Sequence, residues 1–524
     1  MTTVEYPELL NAAAQFVDRP VAEGRGEHIA ILCGDRAITY RQLYEHVNRF
    51  GNALKALDVH IEDRVALLLP DTPEFAYAFF GSMKTGAVAV PLNTNLTAKD
   101  YAYLLNDCRA RVLVTDPSML DRLAGIRAGL RFLKYVLVVG DQPLGHLALG
   151  QVLQQAAPEL EPEQTSRDDM AFWLYSSGTT GMPKGAIHLH HDMLAQADHY
   201  AVATLGLHET DVTYSVAKLF FAYGLGNSLY FPLRVGCTTV LMPDRPKPES
   251  IFESIDRYAP TVFYSVPTNY AALLHFAEKT GRNSLGQVRL CVSAGEPLPR
   301  HLFDAWRERF GVEILDGIGS TEVLHIFISN RPGKIKPGST GQIVDGYEAK
   351  IVDEEGQQVP PGTVGTLWIK GDSIAAGYWN KHEQTQKTFH GHWINTHDKF
   401  WVDEEGFYWY AGRTDDMLKV SGQAVWPADV EGVLQGHLAV LESGVVGALD
   451  SDGLLKPVAY VVLKDRHAAS PELARELQEF VKHHTAPHKY PRAVVFVDTL
   501  PKTASGKIKR YQLRERATEN NPLG

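Results

Sequence analysis

Apolar and polar residues alternate along much of the chain between short β-type runs and longer helical patterns. The run Arg64–Leu69, for example, is followed by a helical pattern over Thr72–Lys84. Further predicted strands lie at Val112–Thr115, Tyr135–Val139, Thr238–Met242, Thr261–Val266 and Val288–Ser293. Alternation at this spacing is typical of parallel sheets covered by helices, so we predict an α/β fold. Ligands of such sheets bind at the carboxyl ends of the strands.

The pattern changes at about Gly338, where turn pairs such as Pro361-Gly362 and Glu405-Gly406 separate short strands. This predicts a β-rich subdomain. The best candidate for a domain boundary is Gly412–Asp415, because the pattern beyond it is α+β. In that part the predicted helices lie near Pro427–Leu434 and at Pro471–His484, and the predicted strands lie at Val445–Ala448, Val458–Leu463 and Ala493–Val497.

Composition narrows the class of protein. A length of 524 residues exceeds a single hydrophobic core, and 44% hydrophobic with 22% charged residues is ordinary for a soluble globular protein. The formal charge of −11 argues against nucleic-acid binding. The N-terminus shows no secretory signal, and the apolar stretch Phe75–Leu92, interrupted by Lys84, suits a buried helix, turn and strand better than a membrane span.

Neither the cysteines nor the histidines indicate a metal site. The cysteines lie far apart without a C-x-x-C pair, which argues against a disulfide framework and favours a reducing, cytoplasmic setting. They are Cys33, Cys108, Cys237 and Cys291. The cluster of His188, His190 and His191 has no carboxylate or cysteine spacing that supports metal ligation.

The segment Tyr175–Gly185 is a loop suited to wrapping phosphates. Its glycines allow close backbone approach, its hydroxyls donate hydrogen bonds and Lys184 adds a cation. A Walker A loop does not fit, because Pro183 precedes the lysine and a glycine follows it. A flexible surface linker is the alternative, and the apolar strand predicted before the loop argues against it.

With this loop, the chain resembles the adenylate-forming superfamily of acyl-CoA synthetases, peptide-synthetase adenylation domains and luciferases. Five further motifs resemble family signatures in the family's order, and the resemblance extends from Ala37 to Arg510. They are Ser293–Pro299, Asp316–Glu322, Trp393–Asp398, Gly412–Lys419 and Pro501–Lys507. The resemblance implies a large N-terminal domain of layered α/β sheets plus a β-rich subdomain (1–413), a hinge (414–416) and a small mobile α+β C-terminal domain (417–524).

The resemblance implies activation of a carboxylic acid by ATP, with Mg²⁺ and then coenzyme A. Lys507 would stabilise charge during adenylation, Thr321 would contact the α-phosphate and Glu322 would hold Mg²⁺. Asp398 would bind the ribose hydroxyls, aided by Arg413. The other implied nucleotide-binding residues are Ser176, Ser177, Gly178, Thr179, Thr180, Gly181, Lys184, Ala294, Gly295, Glu296, Asp316, Gly317 and Ile318.

Some positions depart from the family's usual residues. Ile318 stands where tyrosine often stacks on adenine, and His397 stands where glycine is usual, which leaves the local backbone geometry open. Asp429 replaces a frequent glutamate at a helix start. For the later step, the family places the domain pivot at Asp415 and the coenzyme A step near Lys419 and Gly422.

The segments Lys218–Gly226 and Leu324–Phe327 resemble the benzoate–CoA ligase branch. The implied acyl-pocket residues are Phe221, Ala222, Tyr223, Tyr264, Gly319, His325 and Ile326. Simple core packing is the alternative for these aromatic residues. Aromatic walls suit a flat ring, and the polar Ser265 region could meet a hydroxyl or amino substituent.

The sequence therefore predicts an AMP-forming aryl-CoA ligase for benzoate or a hydroxy- or aminobenzoate. The alternative is adenylation of another acid or for another acceptor, as by a short- or medium-chain acyl-CoA synthetase or a carrier-protein loader. Expected partners are the aromatic acid, ATP and coenzyme A, without nucleic acid or membrane. A homodimer and the preferred ring substituent are left open.

Overall fold

The computed structural model describes residues 6–142, 144–176, 182–413, 416–420, 423–451, 453–464, 467–486, 488–502 and 508–523, without the side chain of Ala424. Two large sheets and a β-rich subdomain occupy the described residues up to 413, and two small sheets follow. The α/β fold class predicted from the alternating pattern is confirmed.

The first large sheet has eight strands in the order β19-β9-β8-β4-β3-β5-β6-β7. From β8 to β7 all neighbouring strands are parallel, whereas β8, β9 and β19 pair antiparallel. The strands are β3 Arg64–Leu68, β4 Val88–Pro91, β5 Val112–Thr115, β6 Tyr135–Val138, β7 Leu147–Ala148, β8 Met170–Ser176, β9 Lys184–Leu189 and β19 Gly377–Tyr378. The predicted phosphate loop thus connects the two strands of a hairpin, β8 and β9.

The second large sheet has nine strands in the order β16-β15-β14-β13-β12-β10-β11-β1-β2. Its centre is parallel, and the antiparallel pairs lie at its two edges. The strands are β1 Ile29–Cys33, β2 Arg36–Thr39, β10 Val212–Ser215, β11 Thr238–Val240, β12 Val262–Ser265, β13 Leu290–Ser293, β14 Ile314–Gly319, β15 Ile326–Ser329 and β16 Gln342–Ile343.

The β-rich subdomain is an antiparallel sheet of five strands. The strands are β17 Glu348–Val352, β18 Gly365–Lys370, β20 Phe389–His390, β21 Trp393–Val402 and β22 Tyr408–Arg413. The last two strands carry Asp398 and Arg413, two residues of the predicted nucleotide site.

Helices cover the faces of the large sheets because their apolar sides and those of the strands form shared cores. The α-helices up to the subdomain are α1 Tyr40–Ala56, α2 Pro73–Lys84, α3 Ala98–Asp107, α4 Leu120–Ala124, α5 Leu149–Gln155, α6 Asp192–Gln196, α7 Ala222–Leu225, α8 Phe231–Val235, α9 Pro248–Tyr258, α10 Pro267–Thr280, α11 Arg300–Phe310 and α12 His382–Thr388. The 3₁₀ turns are Pro117–Met119, Arg127–Gly129 and Thr321–Val323, and the π-helical segments are Ala14–Asp18, Val21–Arg25, Ala197–Val202 and Gly226–Tyr230.

The residues beyond 415 form an α+β unit with its own two apolar cores, as the pattern predicts. Its elements are β23 Leu418–Val420, β24 Gln423–Val425, α13 Pro427–Gln435, β25 Val440–Leu449, β26 Leu455–Leu463, α14 Pro471–His484, β27 Ala493–Phe496 and α15 Arg510–Asn520. β25 begins earlier than the predicted strand Val445–Ala448, because its first residues pair with the end of β26.

A buried cation joins three helical segments of the N-terminal part. The Lys84 side chain is wholly buried, and its Nζ donates to Asp18 Oδ1 at 2.7 Å and to Asn48 Oδ1 at 2.6 Å. It also lies 4.8 Å from the centre of the Tyr44 ring. Because a charge removed from water needs such partners, these contacts fix the middle of α1 against the ends of α2 and of the segment Ala14–Asp18.

We expect Lys84→Met to lower the free energy of unfolding by about 3 kcal/mol, since it leaves the largely buried Asp18 without its cation. Urea denaturation of the full chain measures the effect. The matched control is Lys387→Met, which removes an exposed partner of Glu383 and should cost less than about 0.5 kcal/mol. Equal costs in the two variants would contradict a special contribution of the buried pair.

Candidate active site

Glu322 lies where the carboxyl ends of the two large sheets meet. Ser176, the last residue of β8, donates its hydroxyl to Glu322 Oε1 at 3.1 Å, and Tyr378 of β19 donates to the same oxygen at 2.8 Å. Burial, followed by the nearby Glu322 charge, raises the pKa of Tyr378, so this phenol stays a donor at neutral pH. The two hydroxyls orient the Glu322 carboxylate, the kind of oxygen ligand that Mg²⁺ takes together with phosphates and water.

The backbone around Glu322 is held by three successive carbonyl groups. Thr321 O accepts from His188 Nε2 at 2.8 Å, Glu322 O accepts from the Ala375 amide at 2.8 Å, and Val323 O accepts from Ser373 Oγ at 2.8 Å. Leu324 follows at φ 74°, an unusual backbone angle for a non-glycine residue. The clamp therefore holds a strained turn in place.

His188 is itself fixed by a buried carboxylate. Its Nδ1 lies 2.8 Å from Asp192 Oδ2, and both side chains are wholly buried. Because a carbonyl oxygen can only accept, Nε2 carries a proton toward Thr321. The Nδ1 atoms of the two neighbouring histidines are also engaged, since His190 Nδ1 accepts from the Ala12 amide and His191 Nδ1 lies 2.9 Å from Arg167 O. These contacts assign the histidine cluster to scaffold positioning.

Asp398 and Arg413 face each other across β21 and β22. Arg413 Nη1 donates to Asp398 Oδ1 at 3.1 Å, and Asp398 is buried. Thr396 Oγ1 accepts from the Asp398 amide at 3.2 Å within a bulge of β21. His397 has φ 59°, the left-handed region that glycine adopts most easily. The structure thus retains a glycine-like backbone at the position where the usual glycine is replaced.

The predicted adenine-side residues lie at the ends of β13 and β14. Burial raises the pKa of Asp316 well above its usual value, and Leu298 N donates to its Oδ2 at 3.4 Å. Glu296 accepts from Thr268 Oγ1 at 2.9 Å, and Gly295 has φ 92°, which requires glycine-like freedom. Ile318 is half-buried in β14. The other two predicted adenine-side residues, Ala294 and Gly317, are buried at the same strand ends.

The predicted acyl-pocket wall is assembled by α7 and the ends of β12 and β13. The Tyr223 hydroxyl lies 3.2 Å from Ser265 O and 3.1 Å from Val292 O, so it can donate to either carbonyl. His325 Nε2 lies 3.1 Å from Tyr223 O and 3.1 Å from Asn227 Oδ1. Burial lowers the pKa of His325 to about 3, so this imidazole is neutral at neutral pH.

The other wall residues are buried or half-buried around this pair. Tyr264 packs edge-on to Tyr223 at 6.4 Å between ring centres. The Ser265 hydroxyl accepts from Asn269 Nδ2 at 2.8 Å and is therefore already engaged. Buried or half-buried with them are Phe221, Ala222, Gly319 and Ile326.

Some predicted residues lie elsewhere or outside the described part of the chain. Lys184 Nζ lies 4.5 Å from the centre of the Tyr378 ring, and Lys419 is exposed on β23. Outside the described residues are Ser177, Gly178, Thr179, Thr180, Gly181, Asp415, Gly422 and Lys507. Their roles stay predictions.

Sequence analysis missed Tyr378, Ser373, His188 and Asp192. The i, i+4 spacing of His188 and Asp192 is a signal that could have paired them. The sequence near Tyr378 and Ser373 contains no comparable signal, since both reach the Glu322 turn from about fifty residues further along the chain.

Comparison with known proteins shows the family of this chain. Residues 18–379 match the family model of the AMP-binding enzymes, and residues 429–507 match that of the AMP-binding enzyme C-terminal domain. The chain belongs to the AMP-binding enzyme family. It is 46% identical to a benzoate–CoA ligase of Thauera aromatica over 98% of this chain and 97% of that protein.

Two solved structures are also similar over nearly the full length. An anthranilate–CoA ligase in complex with anthranoyl-AMP superposes with a TM-score of 0.95 at 42% identity, covering 99% of this chain and 100% of that one. A benzoate–CoA ligase from Burkholderia xenovorans LB400 superposes with a TM-score of 0.90 at 45% identity, covering 97% of this chain and 100% of that one. Within the described residues, no helix has the length and apolar character needed to cross a membrane.

The positive φ of His397 gives a test of the backbone beside Asp398. We expect His397→Asn to be tolerated, since asparagine adopts this region readily, whereas His397→Val should lower the free energy of unfolding by at least about 1 kcal/mol. Denaturation of both variants measures the difference. Equal stability of the two variants would mean that the turn relaxes to an extended backbone.

Proposed function

We propose that this protein is an ATP-dependent aryl-CoA ligase that converts benzoate or a hydroxy- or aminobenzoate into its coenzyme A thioester through an aryl-AMP intermediate, releasing AMP and pyrophosphate. The observation that carries the proposal is that the turn with Thr321 and Glu322 and the aromatic wall with His325 are adjacent in the chain. The Thr321–Glu322 turn leads, within three residues, to His325 in a rigid aromatic wall. A flat acid held at that wall has its carboxylate directed toward the phosphate-binding turn.

The aromatic wall supports a small ring acid as the substrate. The Tyr223 hydroxyl is hydrogen-bonded to the end of β12, and His325 is hydrogen-bonded to the Tyr223 carbonyl. These bonds make the wall rigid, so it cannot rearrange to accommodate a flexible acyl chain. The Nδ1 atom of His325 is a buried acceptor without a hydrogen-bond partner among the described residues. A hydroxyl or amino substituent could satisfy it, which fits the substituted benzoates in the proposal.

Nucleotide binding is assigned by the part of the nucleotide that each residue contacts. Asp398, aligned by Arg413, accepts from the ribose hydroxyls, and the residues at the ends of β13 and β14 contact the adenine. Glu322 would hold Mg²⁺, with Ser176 and Tyr378 orienting its carboxylate. The ion would supply charge neutralisation for the phosphates. Thr321, whose carbonyl is fixed by His188, presents its side chain to the α-phosphate.

The chemical step needs charge stabilisation and positioning rather than a general base. Carboxylic acids of this class are ionised at neutral pH, so the substrate oxygen is already nucleophilic. Lys507 neutralises the charge that develops between the carboxylate and the α-phosphate, and the phosphate loop holds the departing pyrophosphate. We assign the pivot between the two half-reactions to Asp415 and the coenzyme A step to Lys419 and Gly422.

The proposal includes the roles of the two domains and the cellular compartment. Residues 1–413 bind ATP and the acid, and residues 417–524 move about the hinge at 414–416. All four cysteines are buried and unpaired, which supports a reducing, cytoplasmic setting.

A panel of acids tests the substrate. We expect benzoate and small hydroxy- and aminobenzoates to give a higher kcat/KM for AMP release than acetate, hexanoate or octanoate. The advantage in kcat/KM should be at least about a hundredfold. The competing acids differ from a benzene ring by several methylene groups, and a hydrophobic pocket discriminates by about 1–3 kcal/mol per methylene group. The measurement is AMP release for each acid, with and without coenzyme A.

The arm with free coenzyme A separates this function from carrier loading, because only a coenzyme A ligase transfers the acyl group to the free thiol. We expect added coenzyme A to give multiple-turnover AMP release and formation of the thioester. A higher kcat/KM for octanoate than for every benzoate in the panel would refute the aryl substrate. Release of ADP instead of AMP would refute the reaction class.

Lys507→Ala separates the two half-reactions. We expect acid-dependent pyrophosphate release to fall at least about a hundredfold, since one cation at a developing charge contributes a few kcal/mol to the barrier. Thioester formation from supplied benzoyl-AMP should fall by less than about threefold. Lys509→Ala, two residues further along the same basic segment, is the matched control and should retain both activities. Equal losses of both half-reactions in Lys507→Ala would overturn the assignment.

A further inference from the structure

Asp71 is a buried carboxylate outside the nucleotide and acyl sites. It lies between β3 and α2 and is only 3% exposed. Its Oδ1 accepts from the Leu219 amide at 3.1 Å, and its Oδ2 lies 3.7 Å from Lys218 Nζ. Asp71 thus connects the first large sheet to the segment immediately before α7, which carries Ala222 and Tyr223.

Lys218 extends this connection to the second large sheet. Its Nζ donates to Met242 O at 2.5 Å and to Asp244 O at 2.7 Å, both just beyond β11. These carbonyls and the Asp71 carboxylate surround the ammonium group with acceptors. One cation therefore joins the ends of strands from both large sheets to its own loop.

The loop that carries Lys218 is in direct contact with α7. Lys218 O accepts from the Phe221 amide at 3.0 Å, and Phe221 O accepts from the Leu225 amide at 2.8 Å. Gly224 lies so close to the carbonyl oxygens of Ala217 and Lys218 that a Cβ atom there would overlap both. Because the contact leaves no space, any displacement of the Lys218 backbone displaces α7 and the pocket wall.

The electrostatics of Asp71 make this contact sensitive to protonation. Burial raises the pKa of Asp71 to about 6, against the opposing effect of Lys218 and the Leu219 amide. The other titratable neighbour is Cys33 at the end of β1, whose thiol is itself near the paired Arg36 and Glu74. As the pH falls through about 6, Asp71 takes up a proton and Lys218 loses its counter-charge.

We propose that Asp71 and Lys218 are positioning residues that fix the acyl-pocket wall, so that they set the affinity for the aromatic acid without contacting it. This inference rests on the proposed function for the identity of the wall. The expected signature is a change in KM for the acid while KM for ATP stays unchanged, because the nucleotide residues lie on other elements. Protonation of Asp71 should weaken binding of the acid in the same way.

The experiment compares Asp71→Asn with the wild type, using whichever acid of the panel the wild type activates best. At about pH 8 we expect KM for the acid to rise about tenfold in the variant, with KM for ATP within about twofold. In the wild type, KM for the acid should rise as the pH falls through about 6, whereas in Asp71→Asn it should be flat over that range, since the titrating group is gone.

Asp35→Asn is the matched control, because Asp35 makes the same kind of ion pair with Arg257 at an exposed position. It should retain both KM values and the wild-type pH profile. Lys218→Met is the second variant, and it should raise KM for the acid at about pH 8 even if Asp71→Asn folds poorly.

The outcomes separate the two proposals. An unchanged KM for the acid in both variants, or an equal rise in KM for acid and ATP, would overturn the positioning role. The same titration of KM in Asp71→Asn as in the wild type would also overturn it. A wild-type preference for a non-aromatic acid would refute the proposed substrate, while the effect of Asp71 on that acid would still decide the present inference.

Discussion

The hydrogen bonds that Glu322 accepts from Ser176 and Tyr378 are the contact on which the candidate site depends. Ser176 and Tyr378 belong to the first large sheet, and Glu322 follows β14 of the second. The Glu322 Oε1 atom therefore joins the two sheets. The neighbouring carbonyls of residues 321 to 323 are bound in turn by His188, Ala375 and Ser373. His188, Ser373 and Tyr378 are buried, and buried polar groups are costly unless paired, so these hydrogen bonds stabilise the junction.

The acyl-pocket wall gains its rigidity from the same kind of pairing. Tyr223 binds strand-end carbonyls, and His325 binds Tyr223 while remaining neutral because it is buried. A neutral imidazole does not attract or repel a carboxylate strongly. In the proposed function, selectivity at this wall would come from shape and from hydrogen bonding rather than from an ion pair with the acid.

Two strained backbone positions lie beside residues proposed to act on the nucleotide. Leu324 and His397 both have positive φ without being glycine, and each stands within two residues of a proposed ligand-binding carboxylate. Such positions persist only where surrounding contacts hold them. The bulge of β21 and the carbonyl clamp supply those contacts here, which links the geometry of the carboxylates to the packing of the sheets.

The sequence by itself determined the elements and the main motifs. The helix Pro471–His484 was predicted with the bounds that the structure shows, and its start is fixed locally, by proline at its first position and by the Ser470 hydroxyl that accepts from the Leu473 amide. The sequence also indicated where each candidate function lies along the chain, such as the phosphate loop after Tyr175 and the acyl-pocket segment around Tyr223. Only the tertiary structure brings Tyr378 and His188 to the Glu322 turn and Asp71 to the Leu219 amide, since these contacts join residues about fifty to one hundred and fifty positions apart. Periodicity and motif spacing report neighbours along one element, whereas these contacts exist only after separate elements have packed together.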